Sequence, residues 1–214
     1  MASIFFSSDH HFGHANIIKY CNRDFQDVHQ MNVEMARRWN EVVNHDDLVY
    51  YLGDFSLQLR SAEWWASQLN GKKILVCGNH DKCWPHRSKK KVVPFEDYIN
   101  IGFEEVCTEK IIKIPLNEKL TEIKLHHMPY ASTSGEAVDM RYLQHRPKDE
   151  GHLLFHGHVH TSFLLGADKR HFNVGVDMHN LYPWSLKEID QLLRDNGYYD
   201  ITRGYSRRVL NRSS

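Results

Sequence analysis

Ser7-Ser8-Asp9-His10-His11-Phe12-Gly13-His14 sets one carboxylate and three imidazoles within six residues, directly behind the apolar run Ile4-Phe5-Phe6. The run has the length of a short buried strand. In α/β proteins the loop at the carboxyl end of a strand is where ligands and metals gather. Carboxylate oxygen beside imidazole nitrogen is ligand chemistry for Zn, Mn, Fe and similar divalent ions. Alone, the cluster only suggests a metal. It decides the fold if later strands end in the same way.

They do. Leu48-Val49-Tyr50-Tyr51-Leu52 stops at Gly53-Asp54, and Lys73-Ile74-Leu75-Val76-Cys77 stops at Gly78-Asn79-His80-Asp81. Further on, the run ending at Leu125 meets His126-His127, and His152-Leu153-Leu154-Phe155 meets His156-Gly157-His158-Val159-His160. Singly, each polar end has a bland alternative as a turn or strand terminus; scattered surface histidines would not recur at strand ends beside glycine. Between these strands, apolar spacing of three and four predicts helices over 15–21, 27–43 and 61–69. Strands alternating with helices argue a largely parallel α/β sheet.

The second half differs. Two strands, 105–114 and 120–127, flank a hairpin-like loop at 115–119, and Phe172 to Asp177 reads as one more strand. Ser185 with Glu188 three residues on is a capping-box pattern, opening a helix over 185–193. The polar stretch 130–151 has no persistent period and reads as a loop with one short helix, of a length that is often functional.

At 214 residues, with 41% hydrophobic and 25% charged side chains, the chain fits one soluble domain over 1–214, with mobility at the tail from about 197. The formal net charge is zero, so electrostatics gives no general reason to expect nucleic-acid or membrane binding. No apolar stretch approaches the ~20 residues that span a bilayer. The four cysteines form no CxxC pair. Together with the lack of a basic, apolar leader, they point to reduced thiols and a cytoplasmic location. The basic stretch 82–94 reads as a solvated loop or as a rim that gathers a phosphate-bearing substrate.

The ordered motifs resemble those of the calcineurin-like metallophosphoesterases, whose pattern is D-x-H, G-D, G-N-H-D/E, H and G-H-x-H. The resemblance implies a four-layer α/β/β/α sandwich around two central mixed β-sheets. It implies one divalent ion on Asp9, His11, Asp54 and His160, and a second on Asp54, Asn79, His127 and His158. Mn is favoured over Fe, Zn or Ni for this thiolate-free set. A hydroxide bridging the two ions would be the nucleophile, His80 the general acid, and Asp81 the residue orienting its ring. Substrate contacts are expected from His14, Arg23 and Tyr130, with Ser132-Thr133-Ser134 at the cleft. His10, His126 and His156, next to ligands along extended chain, should point away.

The expected activity is phosphoester hydrolysis, diester before monoester, on a small phosphoester, a nucleotide or a nucleic-acid end. Hydrolysis of another bond by the same two ions, and a metal-binding scaffold without activity, are the alternatives.

Overall fold

The computed structural model of the chain describes residues 2–87, 91–131 and 140–199. It is an α/β sandwich built on two mixed sheets, the architecture that the resemblance implies, where the alternation of strands and helices alone argued one largely parallel sheet. In the first sheet, β1 (Ile4–Ser7), β2 (Leu48–Tyr51), β3 (Lys72–Val76) and β4 (Phe103–Cys107) run parallel, and β9 (Trp184–Ser185) closes the β1 edge antiparallel. The second sheet orders β5 (Glu109–Leu116), β6 (Lys119–His126), β7 (Leu153–His156) and β8 (His171–Asn173), with only the β5–β6 pair antiparallel.

Alternation along the strands explains their unbroken apolar runs. Phe5, Val49, Tyr51 and Leu75 face the core beneath the helices, whereas Phe6, Tyr50, Leu52 and Val76 face the core between the sheets. A strand buried on both faces needs apolar side chains at every position. The first core is closed by α1 (Asn16–Tyr20), α2 (Val28–Val42), α3 (Leu59–Gln68) and α4 (Phe95–Asn100). In α2 the buried residues Met31, Met35 and Trp39 recur at four, and Asp27 caps the helix by accepting from Gln30 N–H at 2.8 Å. The inter-sheet core joins Phe6 edge-on to Phe155 and Phe172 edge-on to Trp184, and receives Ile189 and Leu193 from α5 (Leu186–Asp195). The capping box at Ser185 and Glu188 is formed in both directions.

Five elements differ from the sequence expectation. The strand expected over 105–114 is two strands, parted at Thr108, which carry the chain from one sheet to the other. An extended run gives no periodic sign that its pairing partner changes midway. The hairpin loop is only Asn117-Glu118, both at positive φ (47° and 63°), the backbone of a two-residue mirror-image turn. The strand expected through Asp177 ends at Asn173, and a 3₁₀ turn follows over Val176–Met178. The chain also forms α4 and the two-residue β9, neither of which has a sequence period to announce it.

The sheets meet at their carboxyl ends. Ser8 bridges Gly175 in parallel, Val176 N–H donates to the Ser8 carbonyl at 3.1 Å, and His158 N–H, past the end of β7, donates to Asp9 Oδ2 at 3.0 Å. That junction brings the strand-end motifs together. No helix among the described residues is long and apolar enough to cross a membrane. The tail beyond 199, Lys89-Lys90 of the basic stretch, and Ser132-Thr133-Ser134 lie outside the described residues.

Candidate metal centre

Backbone geometry at the strand ends comes first. Beyond β1 and β2 the ladder continues through Asp9 N–H to the Gly53 carbonyl, His11 N–H to Asp54 and Phe12 N–H to Phe55, at 2.9–3.0 Å. Within it, Asp9, His11 and Asp54 take left-handed φ values of 61°, 54° and 58°. His158 and His160 do likewise at 71° and 47°. Gly53 and Gly78 allow the two loops to touch: a Cβ on Gly53 would lie 2.5 Å from the Gly78 nitrogen.

Each central carboxylate has one oxygen fixed by the protein and one aimed inward. Asp9 Oδ2 accepts from Ser8 Oγ at 2.6 Å and from His158 N–H at 3.0 Å. Its Oδ1 is buried without a hydrogen-bond partner, 3.9 Å from His11 Nε2 and 4.0 Å from His160 Nε2. Asp54 Oδ1 accepts from His80 N–H at 2.8 Å. Its Oδ2 lies 3.5 Å from His11 Nε2 and 3.4 Å from His127 Nε2. Asp54 Oδ2 is thus the oxygen that faces both imidazoles.

The imidazoles are oriented from behind. His127 Nδ1 meets the Leu52 carbonyl at 2.7 Å, which turns Nε2 toward Asp54 and the Asn79 amide oxygen at 3.1 Å. His160 Nδ1 meets Asp177 Oδ2 at 2.8 Å, which turns its Nε2 toward Asp9. Such outer partners fix ring tautomer and raise ligand basicity. The His158 ring lies 5.2 Å from that of His127, centre to centre. Donor atoms of Asp9, His11 and His160, and of Asp9, Asp54 and His127, each fall within 4.8 Å of one another. A further grouping, Cys21, His160 and Asp177, shares His160.

Electrostatics follows from this crowding. Burial drives Asp9 above the usual carboxylate range despite His160 and His127. Burial would raise Asp54 too, but His127, His80 and His11 outweigh it and hold Asp54 well below its ordinary value. Burial lowers His11 far below 6.5. It would lower His127 and His160 as well, but Asp54 lifts His127 to about 9, and Asp9 with Asp177 lifts His160 to about 11. Two imidazolium charges thus sit where a cation would neutralise the carboxylates.

The residues fit divalent metal. Oxygen and neutral-nitrogen donors converge, and both Asp9 Oδ1 and His11 Nε2 are buried without hydrogen-bond partners among the described residues. Asp9, His11, Asp54 and His160 would hold one ion, and Asp54, Asn79, His127 and His158 the other.

Three expected roles change. Asp81 does not orient the His80 ring: its carboxylate accepts from the N–H groups of Asp54, Phe55 and Gly78 at 2.8–3.0 Å, clamping the β2 and β3 loops together. Arg23 does not face a substrate. Its guanidinium is buried, paired with both Asp177 oxygens at 2.7 and 3.0 Å and donating to the Asp9 and His10 carbonyls. Tyr130 is turned into the protein, its hydroxyl on the His152 carbonyl at 3.1 Å. His14 and His80 do line the cleft, a cavity of about 470 Å³ that also includes Tyr20, Tyr142 and Arg146. His10 points away onto the Tyr51 hydroxyl and His156 onto the Gly157 carbonyl, as alternation requires; His126 folds back onto the Met128 carbonyl.

Ser8, Asp177 and Tyr142 are site residues that the sequence left without a role. Ser8 could have been found as the hydroxyl preceding Asp9, and Asp177 as an acid close behind the β8 strand. Tyr142 carries no such signal.

The chain is 32% identical over 186 residues to the gene 66 protein of Mycobacterium phage L5, covering 83% of this chain and 87% of that protein. It is 31% identical over 201 residues to MJ1445 of Methanocaldococcus jannaschii, an uncharacterized protein, covering 90% and 92% respectively. The chain belongs to this family. The gene 66 protein of Mycobacterium phage D29, 30% identical over 205 residues and covered to 98%, is a further member. The crystal structure of AQ665 from Aquifex aeolicus, a protein of unknown function, superposes with a TM-score of 0.62 at 26% identity, covering 90% of this chain and all of that one. No protein-family model matches the chain.

Proposed function

We propose that this chain is a calcineurin-like metallophosphoesterase, a hydrolase that uses two divalent ions, Mn favoured, to cleave phosphodiesters in preference to monoesters. The observation that carries the proposal is Asp54 Oδ2, equidistant within 0.1 Å from the Nε2 atoms of His11 and His127 and so available to two neighbouring ions. Two ions so held supply the positive charge that polarises a phosphoryl group and stabilises its attacking and leaving oxygens.

The remaining work belongs to side chains. His80 has a side chain 43% exposed in the cleft, its Nε2 3.9 Å from Asp54 Oδ2 and its backbone pinned to Asp54 Oδ1. From there it can give a proton to the leaving oxygen as the phosphorus–oxygen bond breaks, while the water that attacks phosphorus gives up a proton in turn. His14, whose ring centre is 6.5 Å from that of His80, lies on the same wall and can contact phosphoryl oxygens. Asp177 holds His160, and Arg23 holds Asp177, so the orientation of one ligand is set two residues deep.

The test pairs metal content with turnover. Protein loaded with Mn should hold two ions per chain and hydrolyse bis(p-nitrophenyl) phosphate. Asp54→Asn should lose at least one ion and turnover together. His80→Ala should keep both ions and lose about 10²–10⁴-fold in rate on esters with poor leaving groups. One ion per chain at saturation, or loss of metal in His80→Ala, refutes the proposal.

A further inference from the structure

The cleft continues past His80 into a second cavity of about 350 Å³, within the range of small-ligand pockets. The two share Asn79, His80 and Tyr142 as a common wall. The far side has a different chemistry from the metal centre. Lys82, His86 and Arg87 supply positive or protonatable groups, and Trp84 and Tyr142 supply rings. Arg87 Nη1 donates to the carbonyls of His80 and Asp81, both at 2.9 Å, which fixes the guanidinium against the loop that carries His80. Its Nε is buried without a hydrogen-bond partner among the described residues. Trp84 stands edge-on to Tyr142 (5.9 Å) and to His86 (5.4 Å), and His86 is stacked on His145 at 4.4 Å. A basic loop of this kind had two readings in the sequence, solvated or phosphate-gathering. Its placement beside His80 favours the second.

We infer that this second cavity receives the leaving group of the substrate and that the leaving group is a nucleotide, its base against Trp84, His86 and Tyr142 and its phosphate against Arg87 and Lys82. The inference rests on the hydrolase proposed above, with His80 as the proton donor. The leaving oxygen must come within hydrogen-bond reach of His80. Whatever that oxygen carries therefore extends along the His80 wall, toward cations and rings. A flat base suits aromatic edges and faces, and a phosphate suits the fork of an arginine already held in place. In the reaction, the water oxygen bonds to phosphorus and the phosphorus–oxygen bond to the nucleotide hydroxyl breaks. His80 passes its proton to that hydroxyl oxygen and recovers one from the attacking water.

Two measurements test this, one without metal. Thymidine 5′-monophosphate is titrated calorimetrically into metal-free protein, with thymidine and inorganic phosphate as separate probes. The nucleotide should bind more tightly than either part, and His86→Ala or Lys82→Ala should weaken it about tenfold, the usual scale for losing one stacked or paired group. With Mn, kcat/KM is compared for a thymidine dinucleotide with and without a phosphate on its leaving-side residue. The ratio should favour the phosphorylated form and fall about tenfold in the same variants. Equal binding of nucleotide and phosphate, or a substrate ratio untouched by both variants, overturns the inference. Nucleotide binding that depends on His86, in a protein with no hydrolysis of any phosphoester, refutes the hydrolase instead and leaves a nucleotide site.

Discussion

Metal uptake by this site should expel protons. In the metal-free protein His127 sits at about 9 and His160 at about 11, so both rings are charged at pH 7. In each the rear nitrogen is engaged, His127 Nδ1 by Leu52 and His160 Nδ1 by Asp177, so the proton to be lost is on the forward Nε2. A metal ligand must be the neutral ring. Loading both positions at pH 7 should thus release about two protons per chain, and apparent affinity should rise about tenfold per proton for each pH unit. The same charges set the stability of the metal-free form. A rise in His127 from 6.5 to about 9 corresponds to roughly 3 kcal/mol. Because the folded value is raised, that stabilisation is complete below pH 6.5 and is lost as pH climbs through 9. The lowering of Asp54 describes the same attraction and is not counted again. Calorimetry of Mn binding in buffers of different ionisation enthalpy gives the proton count, and urea midpoints of the chelated protein from pH 6 to 10 give the stability. Release of no protons, or a midpoint that climbs over this range, refutes the electrostatic account.

Arg23→Met should cost about 1–3 kcal/mol in urea unfolding, because it leaves Asp177 Oδ1 and the buried Asp9 and His10 carbonyls without their donor while His160 still pairs with Asp177 Oδ2; a cost under about 1 kcal/mol would mean the pair is not holding the junction. Gly157→Ala should lower bound metal below half of the wild-type content, since its Cβ would lie 1.9 Å from Ser8 Oγ and 2.3 Å from Asp9 Oδ2. Gly102→Ala is its control: that Cβ meets nothing within 4 Å, so only the left-handed backbone penalty of about 1–2 kcal/mol applies and metal content should hold.

The convergence of the strand-end residues was legible because a strand buried on both faces writes its end plainly: Leu52 to Asp54 and Val76 to Asn79 pass from apolar to polar within three residues. What supports the ligands was not. Arg23 and Asp177 are 154 residues apart and meet only because Ser8 bridges Gly175. Arginine in a polar turn has the same appearance in sequence whether it meets a phosphate or a buried carboxylate. Tyr130 follows His127 by three residues, yet its ring is buried and its hydroxyl donates to the His152 carbonyl. The parting of β4 from β5 at Thr108 and the brevity of β9 were equally silent, since sheet membership is fixed by distant partners and not by local period.

The conformations at the centre also explain why it is built where it is. Asp9, His11, Asp54, His158 and His160 all hold left-handed backbone, at roughly 1–2 kcal/mol each for a residue with a Cβ. Aspartate and histidine tolerate that region better than branched residues do, so the donor types and the strained positions coincide. The strain persists because the surroundings over-determine it: three ladder bonds between the β1 and β2 loops, three N–H groups on Asp81, and Asn173 donating to the His160 and Phe163 carbonyls. Left-handed Asp9 and His11 project inward while His10 between them reaches Tyr51, which an extended chain alone would achieve but without turning both toward Asp54. Two buried carboxylates facing each other repel, and imidazolium charge offsets that only while the rings stay protonated. A pair of cations would remove the repulsion also where the rings are neutral, so the fold holds in advance the geometry that bound metal would stabilise.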